Sequence, residues 1–204
     1  PKRVPALIFY RIGKVKYEKK PDDSDLALIE KIESMGYPDL LPSQLLPKMH
    51  MTHERARMDR AGVTHLHHFF FSRAAHSLAL LWEKASSFKE RRISNMLVYM
   101  VEQAAWTMSI MNRYRPTGFS QVNQYMTGVY YIASQISECS PQYVLTGKLS
   151  RLIKVFGLNS FNKSNSMINN GSAVSIPMKD GSIDYIFTDP PFGENIYYAD
   201  LNYL

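Results

Sequence analysis

Apolar positions recur along this chain with two periods, and each period predicts its own elements. Leu26, Ile29 and Ile32 stand about one turn apart behind Asp22, Asp23, Ser24 and Asp25. That spacing predicts a helix with an acidic, capped start, stopped by Gly36 and Pro38. A second helix is expected with Ser72 as its cap and Ala75, Leu78, Ala79 and Trp82 on its buried face. The longest is expected from about 89 to 113, with Ile93, Met96, Leu97, Met100, Ala104 and Met108 on one side as core filling. Ser140-Pro141 then supplies a cap and a first-turn proline for a helix through Val144, Leu145, Leu149, Leu152, Ile153 and Phe156, closed by Gly157. Strand-like runs occur at Leu7-Ile8-Phe9-Tyr10 and Val15-Lys16-Tyr17, a hairpin around Gly13, and at Val129-Tyr130-Tyr131-Ile132 and Met167-Ile168.

The run on which the chain is organised is 180–193. Gly181 and Ser182 predict a turn, and residues 183–188 read as a short buried strand, apolar at nearly every step. The strand runs into Asp189-Pro190-Pro191-Phe192. Prolines cannot extend a central strand, so the acid and the aromatic belong at its carboxyl end, where open α/β sheets place their sites. A carboxylate beside a fixed carbonyl can accept both hydrogens of an exocyclic amino group and turn its lone pair toward an electrophilic methyl. An adjacent aromatic can stack on the base, which must be flipped out or single-stranded. On these four residues alone, an Asp-Pro turn beside a core phenylalanine accounts for the pattern equally well.

Composition narrows the classes. The 204 residues suffice for one large or two small domains, and 45% hydrophobic with 21% charged residues is ordinary for a globular chain. A net charge of +6 leans toward a polyanionic partner. A single cysteine, Cys139, excludes an internal disulfide framework and a cysteine-based zinc site. No stretch is long and apolar enough to span a membrane and no signal peptide is seen, so a cytoplasmic chain is expected. His65, His67 and His68 lack a carboxylate or cysteine at ligand spacing, so no metal site is expected there. The opening segment carries Lys2, Arg3, Arg11, Lys14, Lys16, Lys19 and Lys20 against Glu18 alone. It reads as a phosphate-contacting edge or as a solvated edge strand protected by lysines. Residues 37–62, punctuated by Pro38, Pro42 and Pro47, read as a substrate-facing loop or a plain connection.

Asn170-Gly171-Ser172-Ala173-Val174-Ser175-Ile176-Pro177, followed by Asp180-Gly181-Ser182-Ile183-Asp184-Tyr185-Ile186-Phe187-Thr188-Asp189-Pro190-Pro191-Phe192, resembles the catalytic region of amino-group DNA methyltransferases. The wider chain resembles the large adenine-specific methylases, through Gly62-Val63-Thr64-His65-Leu66-His67-His68-Phe69-Phe70, Leu80-Leu81-Trp82, Thr127-Gly128-Val129-Tyr130-Tyr131-Ile132 and Gly193-Glu194-Asn195-Ile196-Tyr197-Tyr198-Ala199-Asp200-Leu201-Asn202. The resemblance implies methyl transfer from S-adenosylmethionine to adenine N6 in DNA. It implies that Asp189 and the Pro190 carbonyl hold the target amine in the Asp189-Pro190-Pro191-Phe192 turn. Phe192 would stack on the base, with Tyr197 and Tyr198 lining its pocket or serving as core. Gly171, Ser172, Asp189 and Gly193 would border the cofactor. The same tetrapeptide occurs in enzymes resembling tRNA guanine-N2 methyltransferases. RNA, cytosine N4 and a nucleic-acid-binding module without turnover are therefore alternatives.

The chain departs from those relatives in two ways. Many place an acid where Ser172 stands, and they carry a Phe-x-Gly-x-Gly type turn that is absent among these ten glycines. The implied fold is a partial Rossmann-like α/β methyltransferase sheet with a helical elaboration between about 63 and 157. Residues 1–61 would be the tail of an inserted region and 62–204 a partial catalytic domain. Both ends read as cut, and the missing N-terminal half of the same protein would supply the cofactor loop. Alone, the piece is expected to be inactive, to bind S-adenosylmethionine poorly, and to self-associate through its uncovered sheet edge.

Overall fold

The computed structural model describes residues 3–55, 58–122, 130, 132–157, 167–190 and 200. They form a mixed α/β structure of four α-helices and two small antiparallel sheets. The opening hairpin pairs β1 (Ile8–Ile12) with β2 (Val15–Lys19) through a turn in which Gly13 takes φ 61, a backbone region open to glycine. Helix α1 (Asp23–Glu33) starts in a full capping box. The Asp22 carboxylate accepts from the Asp25 N–H at 3.0 Å, and the Asp25 carboxylate accepts from the Asp22 N–H at 3.0 Å. Its apolar face is shallower than the spacing suggested, because Ile29 and Ile32 are half-buried and Leu26 is exposed.

The described residues of 37–62 form a connection whose inner side enters the core. Leu46 and Met58 are buried, Leu45 bridges to His65, and Leu46 N–H donates to the Thr64 carbonyl at 2.8 Å. A π-helical turn (His50–Arg55) lies within it, and the buried Thr52 hydroxyl donates to the Pro47 carbonyl at 2.7 Å.

The centre of the molecule is α2 (Ser72–Ser86), α3 (Arg91–Met108) and α4 (Pro141–Gly157), with α3 packed against both of the others. Phe69, fully buried just before α2, accepts from the Ile110 N–H at 2.8 Å and has its ring 5.7 Å from Tyr130. Ser72 does not cap α2. It is the first helical residue, and its hydroxyl ties the helix to the end of α1 by donating to the Gly36 carbonyl at 2.6 Å. On α2, Ala75 and Leu78 are buried as expected, but Trp82 is exposed. On α3, Val101 joins Ala104 and Met108 inside, while Ile93 is exposed. On α4 only Val144 is buried, and Leu149, Ile153 and Phe156 remain exposed. The Ser140–Pro141 start is as expected, with the Ser140 hydroxyl accepting from the Tyr143 N–H at 3.3 Å.

Helix α3 ends at Met108 because Ser109 turns the chain into β3 (Asn112–Arg115), which pairs with β4 (Phe119–Val122). The periodicity of 89–113 runs past this break, since Ile110 and Met111 are apolar and buried too. Asn112, fully buried, anchors the turn: its Nδ2 donates to the Thr107 carbonyl at 2.8 Å, the Ser137 carbonyl at 3.0 Å and Cys139 Sγ at 3.3 Å. Phe119 sits at φ 67, an unusual conformation for an aromatic residue. Its ring packs on Phe9, Tyr114 and Tyr143, and the Ser137 hydroxyl donates to its carbonyl.

The expected central strand is not formed. Residues 183–188 follow the predicted turn, where Gly181 has φ 70, but they are not in a strand and pair with no strand among the described residues. Residues 167–190 are exposed throughout, with Tyr185 at 81% and Phe187 at 80%. Met167-Ile168 is likewise unpaired and exposed. Of 129–132, Tyr130 and Ile132 are described and lie outside any strand. The physical reason is that a run apolar on both faces needs a sheet neighbour on each side and a covering layer. Neither two-stranded sheet provides them.

The core can be tested at one residue. Phe69→Ala should remove about 3–5 kcal/mol of stability, the range for truncating a buried aromatic. Phe156→Ala on the exposed side of α4 should change the chemical-denaturation midpoint little.

Candidate functional site

The residues singled out from the sequence lie in or beside the exposed 167–190 segment. Gly171 and Ser172 open a local turn, in which the Ser172 hydroxyl accepts from the Val174 N–H at 3.2 Å and its carbonyl accepts from the Ser175 N–H at 3.3 Å. The Ser172 side chain is thus engaged with its own backbone. A second turn follows, where the Lys179 carbonyl accepts from the Ser182 hydroxyl at 2.6 Å and the Ser182 N–H at 3.2 Å. Among the described residues, the hydrogen bonds of 171–190 reach no more than three positions along the chain. Asp189 and Pro190 are exposed at the end of the apolar run. Pro191, Phe192, Gly193, Tyr197 and Tyr198 lie outside the described residues. Among the described residues, no hydrogen bond links Gly171–Ser172 to Asp189.

One long-range tie joins two parts of the sequence pattern. The buried Tyr130 hydroxyl donates to the backbone carbonyl of Asp200. Asp200 is thereby tied to a tyrosine whose ring lies beside Phe69 in the helical core.

The histidines gather in a cluster that the pattern could not specify. The His67 and His68 rings are 4.3 Å apart, and His65 lies 5.1 Å from His68. Tyr37 meets His67 edge-on at 4.7 Å. The Thr64 N–H donates to His68 Nδ1 at 3.2 Å, so the neutral ring carries its proton on Nε2. Burial, and then the neighbouring His65, hold His67 below its usual pKa. Burial, then His67 and His65, do the same for His68. Among the described residues, no three histidine, cysteine or acidic side chains are arranged to hold a metal ion.

Arg73 is the other residue that sequence reasoning passed over. Its guanidinium pairs with Glu138 ahead of α4, lies 4.0 Å from Glu33 of α1, and sits 5.0 Å above the Phe71 ring. It joins three segments distant in sequence, and nothing in the local pattern marks it. Beside α2, an open depression of about 690 Å³ is lined by Leu40, His76, Leu80, Trp82 and Glu83 among others.

No protein-family model matches the chain, and no curated protein or solved structure matches it.

The histidine cluster sets a pH dependence. Both depressed groups favour the neutral ring when folded, so their contribution is complete above the ordinary value of 6.5 and is lost as pH falls through the lower folded values. The melting temperature should therefore drop on acidification below about pH 6.5. His68→Gln, which keeps an acceptor for the Thr64 N–H without titrating, should flatten that drop in a pH series of thermal melts.

Proposed function

We propose that this chain is the catalytic-motif part of an S-adenosylmethionine-dependent methyltransferase acting on adenine N6 in DNA. The reading rests on one feature: an apolar strand-like run, entered by a positive-φ glycine turn at Gly181, that leads directly into Asp189-Pro190-Pro191-Phe192. The exposure of the apolar side chains of 183–187 supports it. A run with this pattern is stable only inside a sheet, and a Rossmann-like methyltransferase sheet would cover it on both faces. In that setting the remaining part of the protein supplies neighbouring strands and the glycine-rich cofactor turn. Asp189 and the Pro190 carbonyl accept the two amine hydrogens, which directs the nitrogen lone pair at the methyl group. Phe192 stacks on the flipped base. S-adenosylmethionine supplies the electrophilic methyl when bound, with Gly171, Ser172 and Gly193 along its border. Ser172 is a weaker partner for the cofactor than an acid would be, and its hydroxyl is already engaged with Val174.

Methyl incorporation from labelled cofactor into DNA and RNA by the full-length protein tests the reading. Asp189→Ala should slow transfer on the order of 10²–10³-fold with cofactor affinity nearly unchanged, as for loss of other preorganised transition-state contacts. Turnover close to that of the parent would remove Asp189 from the mechanism, and incorporation into RNA alone would reassign the polymer.

The aromatic makes a separate expectation. Phe192→Ala should raise KM for DNA by an amount matching the loss of about 1–3 kcal/mol of base stacking. Phe192→Tyr and Phe192→Trp should be milder, and equal losses for Ala and Tyr would indicate packing instead.

A further inference from the structure

Helix α2 has a second face that the core does not use. Ala75, Leu78 and Ala85 are buried and mark the side turned inward. His76, Ala79, Leu80 and Glu83 follow one another at three- and four-residue steps, and Ser86 and Ser87 continue that row. All six line the 690 Å³ depression, which therefore runs about 17 Å along the helix. Pro38, Asp39 and Leu40 line it from the connection that follows α1. The result is an open groove with a helix as one wall.

Three large apolar side chains in the groove face water: Leu40 at 54%, Leu80 at 53% and Trp82 at 39% exposure. Apolar surface gathered in a groove and rimmed by polar groups marks an interaction site. The charge in the groove has one sign. Asp39 and Glu83 line it, and among the described residues no lysine or arginine does. Neither carboxylate is ion-paired among the described residues. One turn to either side of Glu83 stand Ala79, Leu80, Ser86 and Ser87, which carry no cation. Lys84 is next in sequence but lies about 100° round the helix. His76 donates from Nε2 to the Gly36 carbonyl at 3.1 Å, so its neutral ring has only an acceptor left at Nδ1. The chain as a whole carries +6, so this groove stands against the sign of the molecule.

Shape and charge together select the occupant. Small-molecule sites are concave and enclose most of their ligand, whereas a long open groove along a helix receives the apolar face of another helix. Two unpaired carboxylates call for lysine or arginine beside that face, and the Trp82 indole offers its π-system to the same cations. We propose that the α2 groove docks a basic amphipathic helix of a partner protein, with apolar side chains laid on Leu40 and Leu80 and lysine or arginine paired with Asp39 and Glu83. This binding is independent of methyl transfer and persists in a chain incapable of it.

The test is fluorescence anisotropy of a labelled amphipathic leucine–lysine peptide titrated with the 204-residue chain. A leucine–glutamate peptide of the same pattern and a serine–lysine peptide without the apolar face serve as comparisons. The leucine–lysine peptide should bind, and the other two should bind at least about tenfold more weakly, because each lacks one of the two required features. Joint Leu40→Gln and Leu80→Gln replacement, at positions exposed to solvent, should weaken binding about tenfold or more. Joint Asp39→Asn and Glu83→Gln replacement should weaken it and remove most of its salt dependence up to about 0.15 M. Leu149→Gln, at a similarly exposed leucine of α4, should leave it unchanged. The proposal is overturned if the leucine–lysine peptide does not bind, if the leucine–glutamate peptide binds as well, or if the groove variants bind as the parent does. Sedimentation of the chain alone gives the remaining outcome: self-association that the Leu40 and Leu80 replacements abolish would assign the groove to a second copy and overturn the proposal.

Discussion

The helical core of this chain is organised around the closed packing of Phe69. Its ring is sealed from water beside Tyr130, and its carbonyl receives the Ile110 N–H. That single bond fixes the start of α2 against the end of α3. Ala75, Leu78, Val101, Ala104, Met108 and Met111 then close around the contact, and Val144 brings α4 onto it. Small residues at Ala75 and Ala104, both fully buried, allow the helices to approach. The buried Asn112 carries the same order into β3 and the segment ahead of α4. Its Nδ2 lies within hydrogen-bonding distance of the Thr107 and Ser137 carbonyls and of Cys139 Sγ, which ties the end of α3 to the segment ahead of α4.

The 167–190 segment shows the opposite condition. Within it, residues 183–188 have the composition of a buried strand, but among the described residues no surface buries them. Among the described residues, backbone hydrogen bonding supplies only short local turns, at Ser172–Ser175, Ile176–Met178 and Lys179–Ser182. Turns form from nearest neighbours, whereas a sheet needs partners remote in sequence. The contrast explains how a chain can contain a well-formed helical core and an exposed apolar run together. It also bears on the chemistry, because an acid acting on an amine has to be held still, and within this segment none of these turns reaches Asp189 to hold it.

The hairpin and the histidine cluster lie away from that run. The first presents the Tyr10–Tyr17 stack on an exposed face, and in the second burial lowers the pKa of His67 and His68. Their chemistry separates them: one is an exposed aromatic face, the other responds to protons.

Local chemistry is legible in the order of the residues. The acidic cap at Asp22, the Gly13 hairpin, the Ser140–Pro141 start and the Gly181 turn depend on residues within four positions of each other, and all four are present. Helix existence follows too, since a 3.6-residue period survives wherever one face finds cover. What the sequence could not decide is which apolar residues find that cover. Trp82, Leu149, Ile153 and the 183–187 run have the same apolar character as Leu78 and Val144 but remain exposed. Their burial depends on surfaces contributed by other segments. The same reason separates the two kinds of site evidence: the Asp189-Pro190 motif is a property of order along the chain, while the Tyr10–Tyr17 face, the Arg73 junction and the histidine cluster come from packing. Only the tertiary structure places Phe9 against Phe119 and thereby determines which face of the first hairpin looks outward.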